Sequence, residues 1–211
     1  MFERASLGGL TITRMMNTAQ EEIATTAARM VVEEGLEYGP AKRRAVKQLG
    51  LNARAQLPNN DQVEDAVREY LDVFCADTQP VELAALRELA AVWMARMATF
   101  RPHLGGAVWR GTATGLSDIY LQLFCHDSKS AEISLIDHNV RYEVSTVQGF
   151  QGETVDALSI LSSCPGLPQK VLIYLMIYDL DDLRGALKPD SKGRTQRGDL
   201  SALKILMKDF E

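Results

Sequence analysis

Cysteine is scarce in this 211-residue chain: Cys75, Cys125 and Cys164 stand far apart and form no C-x-x-C pair. That spacing excludes a disulfide framework and a zinc knuckle, and it fits a reducing, cytoplasmic setting. Histidine is equally sparse, and His103, His126 and His138 show no H-E-x-x-H or other short metal spacing. No apolar run approaches the roughly 18 residues that a membrane-spanning helix needs, so no membrane partner is expected. Charge of one sign is lacking too. With 23 Lys+Arg against 28 Asp+Glu, a net charge of -5 spread over both halves, bulk charge argues against a general polyanion-binding module. Walker A, G-x-G-x-x-G and G-x-S-x-G patterns are absent, which removes the commonest nucleotide-loop and hydrolase signatures.

What the chain does have is 46% hydrophobic residues, ample for a packed core without covalent staples. The opening stretch mixes Glu3, Arg4 and Arg14 with short apolar runs and contains no signal-peptide core. Residues 1–18 read as a poorly ordered lead, or as translation from an upstream start with Met15 or Met16 as the functional one. Residues 19–100 read as a helical N-terminal domain. Ile23, Ala27, Met30 and Val31 recur at helical spacing before Gly35, and Pro40 opens a short helix that stops at Gly50. Asn59 or Asn60 caps a third helix whose stripe is Val63, Val67, Tyr70, Leu71 and Phe74, and a fourth runs from about Pro80 to Thr99.

At Arg101-Pro102 the period changes from near four to near two, so the second domain is placed at 101–211. GGAVWRG, DIYLQLFC, VRYEVSTV, ALSILSS and KVLIYLMIY read as strands. A helix over Ser128–His138 and a last one from Asp199 to about Lys208 flank them, the latter after the turn-rich linker KPDSKGRTQRG. The chain is therefore expected to be α+β: a mixed sheet with flanking helices behind a helical N-terminal region.

The stretch GTATGLSDIYLQLF carries the chemistry. Gly111 and Gly115 bracket Thr112, Ala113 and Thr114 in a tight turn whose N–H groups and hydroxyls suit a phosphate. Asp118 follows at the start of a strand, on the same face as Tyr120, where a magnesium ion would be wanted. The run LGGAVWRGTATGLSDIYLQL resembles the signature of the nucleotidyltransferase fold, the DNA polymerase beta-like superfamily. AARMVVEEGLEYGPAKRRAVKQLGL, LPNNDQVEDAVREY and DDLRGAL extend the likeness to a little-characterised bacterial family of nucleotidyltransferase-like proteins. The resemblance implies that Gly111 and Thr112 contact phosphate, that Asp118 is the first metal ligand, and that a nucleoside triphosphate and Mg2+ bind if the protein is active.

Two positions depart from that pattern. The second carboxylate falls at Tyr120, and the third, supplied from a later strand, falls at Tyr174. A protonated tyrosine is a poor magnesium ligand at neutral pH, although its ring can stack on a base. Glu143 compensates only if its strand neighbours DIYLQLFC. The one concentrated basic patch, Lys42, Arg43, Arg44 and Lys47, is either a solvated helix face or a contact for nucleic acid. Three readings stand open: a degenerate nucleotidyltransferase that keeps nucleotide or phosphate binding, an active transferase moving a nucleoside monophosphate to a hydroxyl with Asp118 and Glu143 as ligands, and a non-enzymatic binding protein.

Overall fold

A computed structural model describes residues 7–150, 152–190 and 192–208, with side chains from Thr18 onward. The chain divides into two compact units, Met1–Ala76 and Asp77–Glu211. The lead expected over 1–18 lies outside the described residues in its first six positions, and the remainder belongs to the first helix.

The first unit is three helices, α1 (Leu7–Glu34), α2 (Tyr38–Gln48) and α3 (Asn60–Phe74). Each is bounded by a local signal. Gly35 and Gly50 follow α1 and α2 with φ of 67° and 65°, the left-handed region that glycine enters without a Cβ penalty. Asn59 caps α3 through its side chain and exchanges bonds with Gln62, both at 2.8 Å, which makes a complete capping box. The stripes then meet: Ile23, Ala27 and Met30 of α1 pack with Ala41 and Ala45 of α2 and with Val63, Val67 and Leu71 of α3. Alanines at the α2 contact let the helix axes approach closely, and each fully buried Ile, Met or Leu contributes about 1.5–3 kcal/mol.

The second unit begins with α4 (Gln79–Arg96), which the periodicity assigned to the helical domain. Helical spacing cannot reveal which core a helix serves. The apolar residues of α4, Leu83, Leu86, Leu89, Ala90, Trp93 and Met94, pack against the sheet, so the division falls at Ala76 rather than near 101. After α4 come β1 (His103–Gly105), α5 (Gly106–Arg110), β2 (Ile119–Cys125), α6 (Ser128–Asp137), β3 (Glu143–Gln148), β4 (Thr154–Ser163), β5 (Lys170–Asp179), α7 (Leu183–Ala186), β6 (Arg197–Gly198) and α8 (Leu200–Lys208).

The six strands form one mixed sheet in the order β3-β4-β5-β2-β1-β6, with β2 and β5 parallel and the other pairs antiparallel. The α+β expectation holds. GGAVWRG is a correction: it is not a strand. Gly106 turns the chain at φ 70°, and Gly106–Arg110 coils into α5, whose last carbonyls are taken by Arg87 of α4: Nε donates to Val108 O at 3.2 Å and Nη2 to Trp109 O at 3.5 Å. That partner lies far along the chain, so local alternation was misleading. A second correction concerns the linker, where Arg197 and Gly198 add a short edge strand to β1.

One sheet face, built from Leu104, Ile119, Leu121, Leu123, Ile173, Leu175 and Ile177, forms the main core with α4, α6 and Leu203 of α8. The opposite face is covered in part. Phe124 and Tyr178, registered neighbours on β2 and β5 with ring centroids 5.5 Å apart, pack with Val155, Met176, Phe150 and Ala186.

Candidate functional site

The glycine turn is folded inward. Gly111 ends α5 at φ 83°, and its N–H and that of Thr112 both donate to Ala107 O, at 2.9 and 3.0 Å. Thr114 N donates to Ser117 Oγ at 3.0 Å, and Gly115 N to Glu82 Oε2 at 2.8 Å. The carbonyls are held as well. Gln79 Nε2 donates to Ala113 O at 2.8 Å and to Gly111 O at 3.1 Å, and Gln169 Nε2 donates to Gly115 O at 2.5 Å. Thr112, Ala113 and Thr114 are buried.

This corrects the phosphate role expected of Gly111 and Thr112. An anion needs N–H groups that still have a bond to offer, and here those of Gly111, Thr112, Thr114 and Gly115 are spent inside the protein. The Thr112 hydroxyl is buried with no partner among the described residues. The Glu82 carboxylate on Gly115 would also repel a phosphate. The sequence reading did not single out Gln79 or Glu82. The available signal was position: Gln79, Leu83, Leu86, Arg87 and Ala90 share one face of α4, and a polar residue on an apolar stripe must have a buried partner.

Asp118 is partly exposed and precedes β2. Two residues on, Tyr120 is the register partner of Tyr174 across the parallel pair, and the two rings stack with centroids 5.1 Å apart and planes 7° from parallel. The separation matches the spacing of neighbouring strands, so the stack follows directly from the pairing. The other side of Tyr120 lies against Gly106, where a Cβ would come within 3.2 Å of Tyr120 Cδ2. The sequence-predicted tyrosines are thus brought together, in the manner expected of residues that pack.

Glu143 is not brought to them. Register links Glu143 to Ser159, Ser159 to Tyr174 and Tyr174 to Tyr120, so β4 and β5 separate β3 from β2. Three interstrand spacings amount to about 14 Å, and Asp118 is further still along β2. The neighbourhood on which Glu143 depended does not exist, which corrects its pairing with Asp118. Among the described residues no three His, Cys, Asp or Glu side chains gather as a metal-holding group. The donor set at Asp118 does not fit the magnesium pair that the resemblance implied, because two ions require several shared oxygen ligands.

The basic patch is partly consumed by the fold of the first unit. Lys42 Nζ donates to Pro58 O at 3.1 Å and to Asn60 Oδ1 at 2.8 Å, and its burial lowers its pKa. Arg44 pairs with Glu34. Arg43 and Lys47 remain exposed, a weak electrostatic footprint for nucleic acid. Burial pushes the Cys125 and Cys164 thiols up, which opposes a thiolate nucleophile at either. No helix among the described residues is long and apolar enough to cross a membrane. Comparison with protein-family models, curated proteins and solved structures found no match to this chain.

Proposed function

We propose that the chain is a nucleotidyltransferase-like scaffold that no longer transfers nucleotides and acts by binding. The observation that carries the reading is the stacked pair Tyr120–Tyr174, side by side on registered strands at the two positions where that superfamily pattern wants carboxylates. In-line nucleotidyl transfer uses two ions roughly 4 Å apart, one activating the attacking hydroxyl and one neutralising the pyrophosphate. One carboxylate, Asp118, cannot hold such a pair. Two half-buried phenol rings in the same place supply no carboxylate oxygen and offer a flat apolar surface instead. The inward-bonded turn at Gly111–Gly115 supports the same reading, since the phosphate cradle is occupied by side chains of the protein itself.

The test is calorimetric titration of the whole protein with ATP and GTP, with and without Mg2+ or Mn2+, on the unaltered chain and on Asp118→Ala. Metal-independent, weak or undetectable heats that do not change with Asp118→Ala are expected. Tight, metal-dependent binding abolished by Asp118→Ala would overturn the proposal, as would transfer of label from a nucleoside triphosphate to any acceptor in a cell extract.

A further inference from the structure

Away from the tyrosine pair, the second unit holds a cavity of about 420 Å³ between the end of α4, the start of β1 and the start of α8. Its size lies at the lower end of the range for small-molecule sites. Ala98, Leu183 and Leu200 supply apolar wall, while Arg101, His103 and Asp199 bring polar groups to the same space.

The polar groups have three features in common with a built site. First, Arg101 and Asp199 line one cavity with opposite charges, yet neither forms an ion pair among the described residues. Second, Asp199 is half used: one carboxylate oxygen, Oδ1, accepts from Ala202 N at 2.8 Å as the cap of α8, which leaves Oδ2 for another donor. Third, His103 is buried and its tautomer is fixed. Nδ1 lies 2.9 Å from Arg101 O, and because a carbonyl only accepts, Nδ1 carries the proton. Nε2 then presents a lone pair with no hydrogen-bond partner among the described residues, and the charged neighbours of the ring are Asp199 and Arg197. Burial lowers the pKa of this imidazole, which favours the neutral, accepting form. Arg101 itself sits at φ 47°, a left-handed conformation that a non-glycine residue adopts at a cost, and that conformation is what turns its carbonyl onto His103.

A ligand complementary to this set carries an anionic group for Arg101, a cationic donor for Asp199 Oδ2 and His103 Nε2, and a small apolar body. We propose that this cavity is a binding site for a free α-amino acid with an apolar side chain, its carboxylate on Arg101, its ammonium on Asp199 and His103, and its side chain against Ala98, Leu183 and Leu200. The site is separate from the tyrosine pair, so it stands whether or not nucleotides bind there.

Calorimetric titration of the whole protein with L-leucine, L-methionine and L-phenylalanine tests it, alongside leucinamide, which lacks the carboxylate, and N-acetyl-leucine, which lacks the ammonium. Saturable binding of the free amino acids is expected, with each neutralised analogue weaker by about tenfold or more, the usual consequence of losing one charge-assisted bond. Asp199→Asn keeps a good helix cap and should weaken leucine by a similar factor. Arg101→Gly removes the guanidinium while suiting the left-handed backbone, and should do likewise. No saturable heat up to about 10 mM of any of the three amino acids would overturn the proposal. So would leucinamide and N-acetyl-leucine binding as tightly as leucine. The analogues are tested on the unaltered protein, so the outcome does not depend on the variants folding.

Discussion

Replacing Gln79 by alanine should destabilise the sheet-bearing unit by about 3–5 kcal/mol. Gln79 is buried, and its amide nitrogen spans two carbonyls of the glycine turn, Ala113 O at 2.8 Å and Gly111 O at 3.1 Å. Each bond contributes about 1 kcal/mol net, and stranding a buried acceptor adds about 1–3 kcal/mol of desolvation cost. Trp93 and Trp109 are the only two tryptophans and both belong to Asp77–Glu211, so tryptophan fluorescence in a urea titration follows this unit alone. With a slope of about 2 kcal/mol per molar, the midpoint should fall by about 1.5–2.5 M. Gln79→Glu should cost more, because a carboxylate would then face two carbonyl oxygens with no donor between them. Glu82→Gln serves as the contrast. It keeps an acceptor for Gly115 N and should stay within about 0.5 kcal/mol of the parent. If Gln79→Ala also shifts stability by less than about 0.5 kcal/mol, the turn is not held from α4, and the argument against its phosphate role fails.

Gly198→Ala should unfold or strain the β1–β6 edge, since a Cβ there would stand 2.8 Å from Trp109 Cζ2, 2.5 Å from Cζ3 and closer still to Cη2. A loss of about 1–3 kcal/mol with a changed Trp109 emission is expected, and unaltered emission and stability would refute it. Burial pushes the Tyr178 hydroxyl up to about 12 from its ordinary value of 10.0. The folded state therefore holds the neutral phenol more firmly than the unfolded state does. Its contribution is fully present below about pH 10 and is lost as pH rises towards 12. Tyr178→Phe should flatten the alkaline limb of the stability curve, and an identical limb in both proteins would show that other groups set it.

Much of the local structure was legible because its causes are local. Asn59 and Gln62 form their capping box three residues apart, Gly35 and Gly50 stop their helices by their own φ, and the alternation of Ile119, Leu121 and Leu123 marks a buried strand face without reference to any partner. The same alternation put Tyr120 on the face of Asp118, which is what made the site suspect before any contact was known.

What the tertiary structure decided was in every case a question of which distant residue arrives. Strand order cannot be read from periodicity, and it is strand order that carries Glu143 to the sheet edge while setting Tyr174 against Tyr120. Helical spacing showed that α4 has an apolar face but not that the face belongs to the sheet, nor that Gln79, Glu82 and Arg87 on it would fill the glycine turn and end α5. The cavity around His103 needed Arg101 in a left-handed turn and Asp199 nearly a hundred positions later. A sequence determines the short-range preferences of each segment through φ, capping and periodicity. The pairing of polar groups across the core is set by packing, because a buried donor or acceptor takes whatever partner the fold brings within about 3 Å of it.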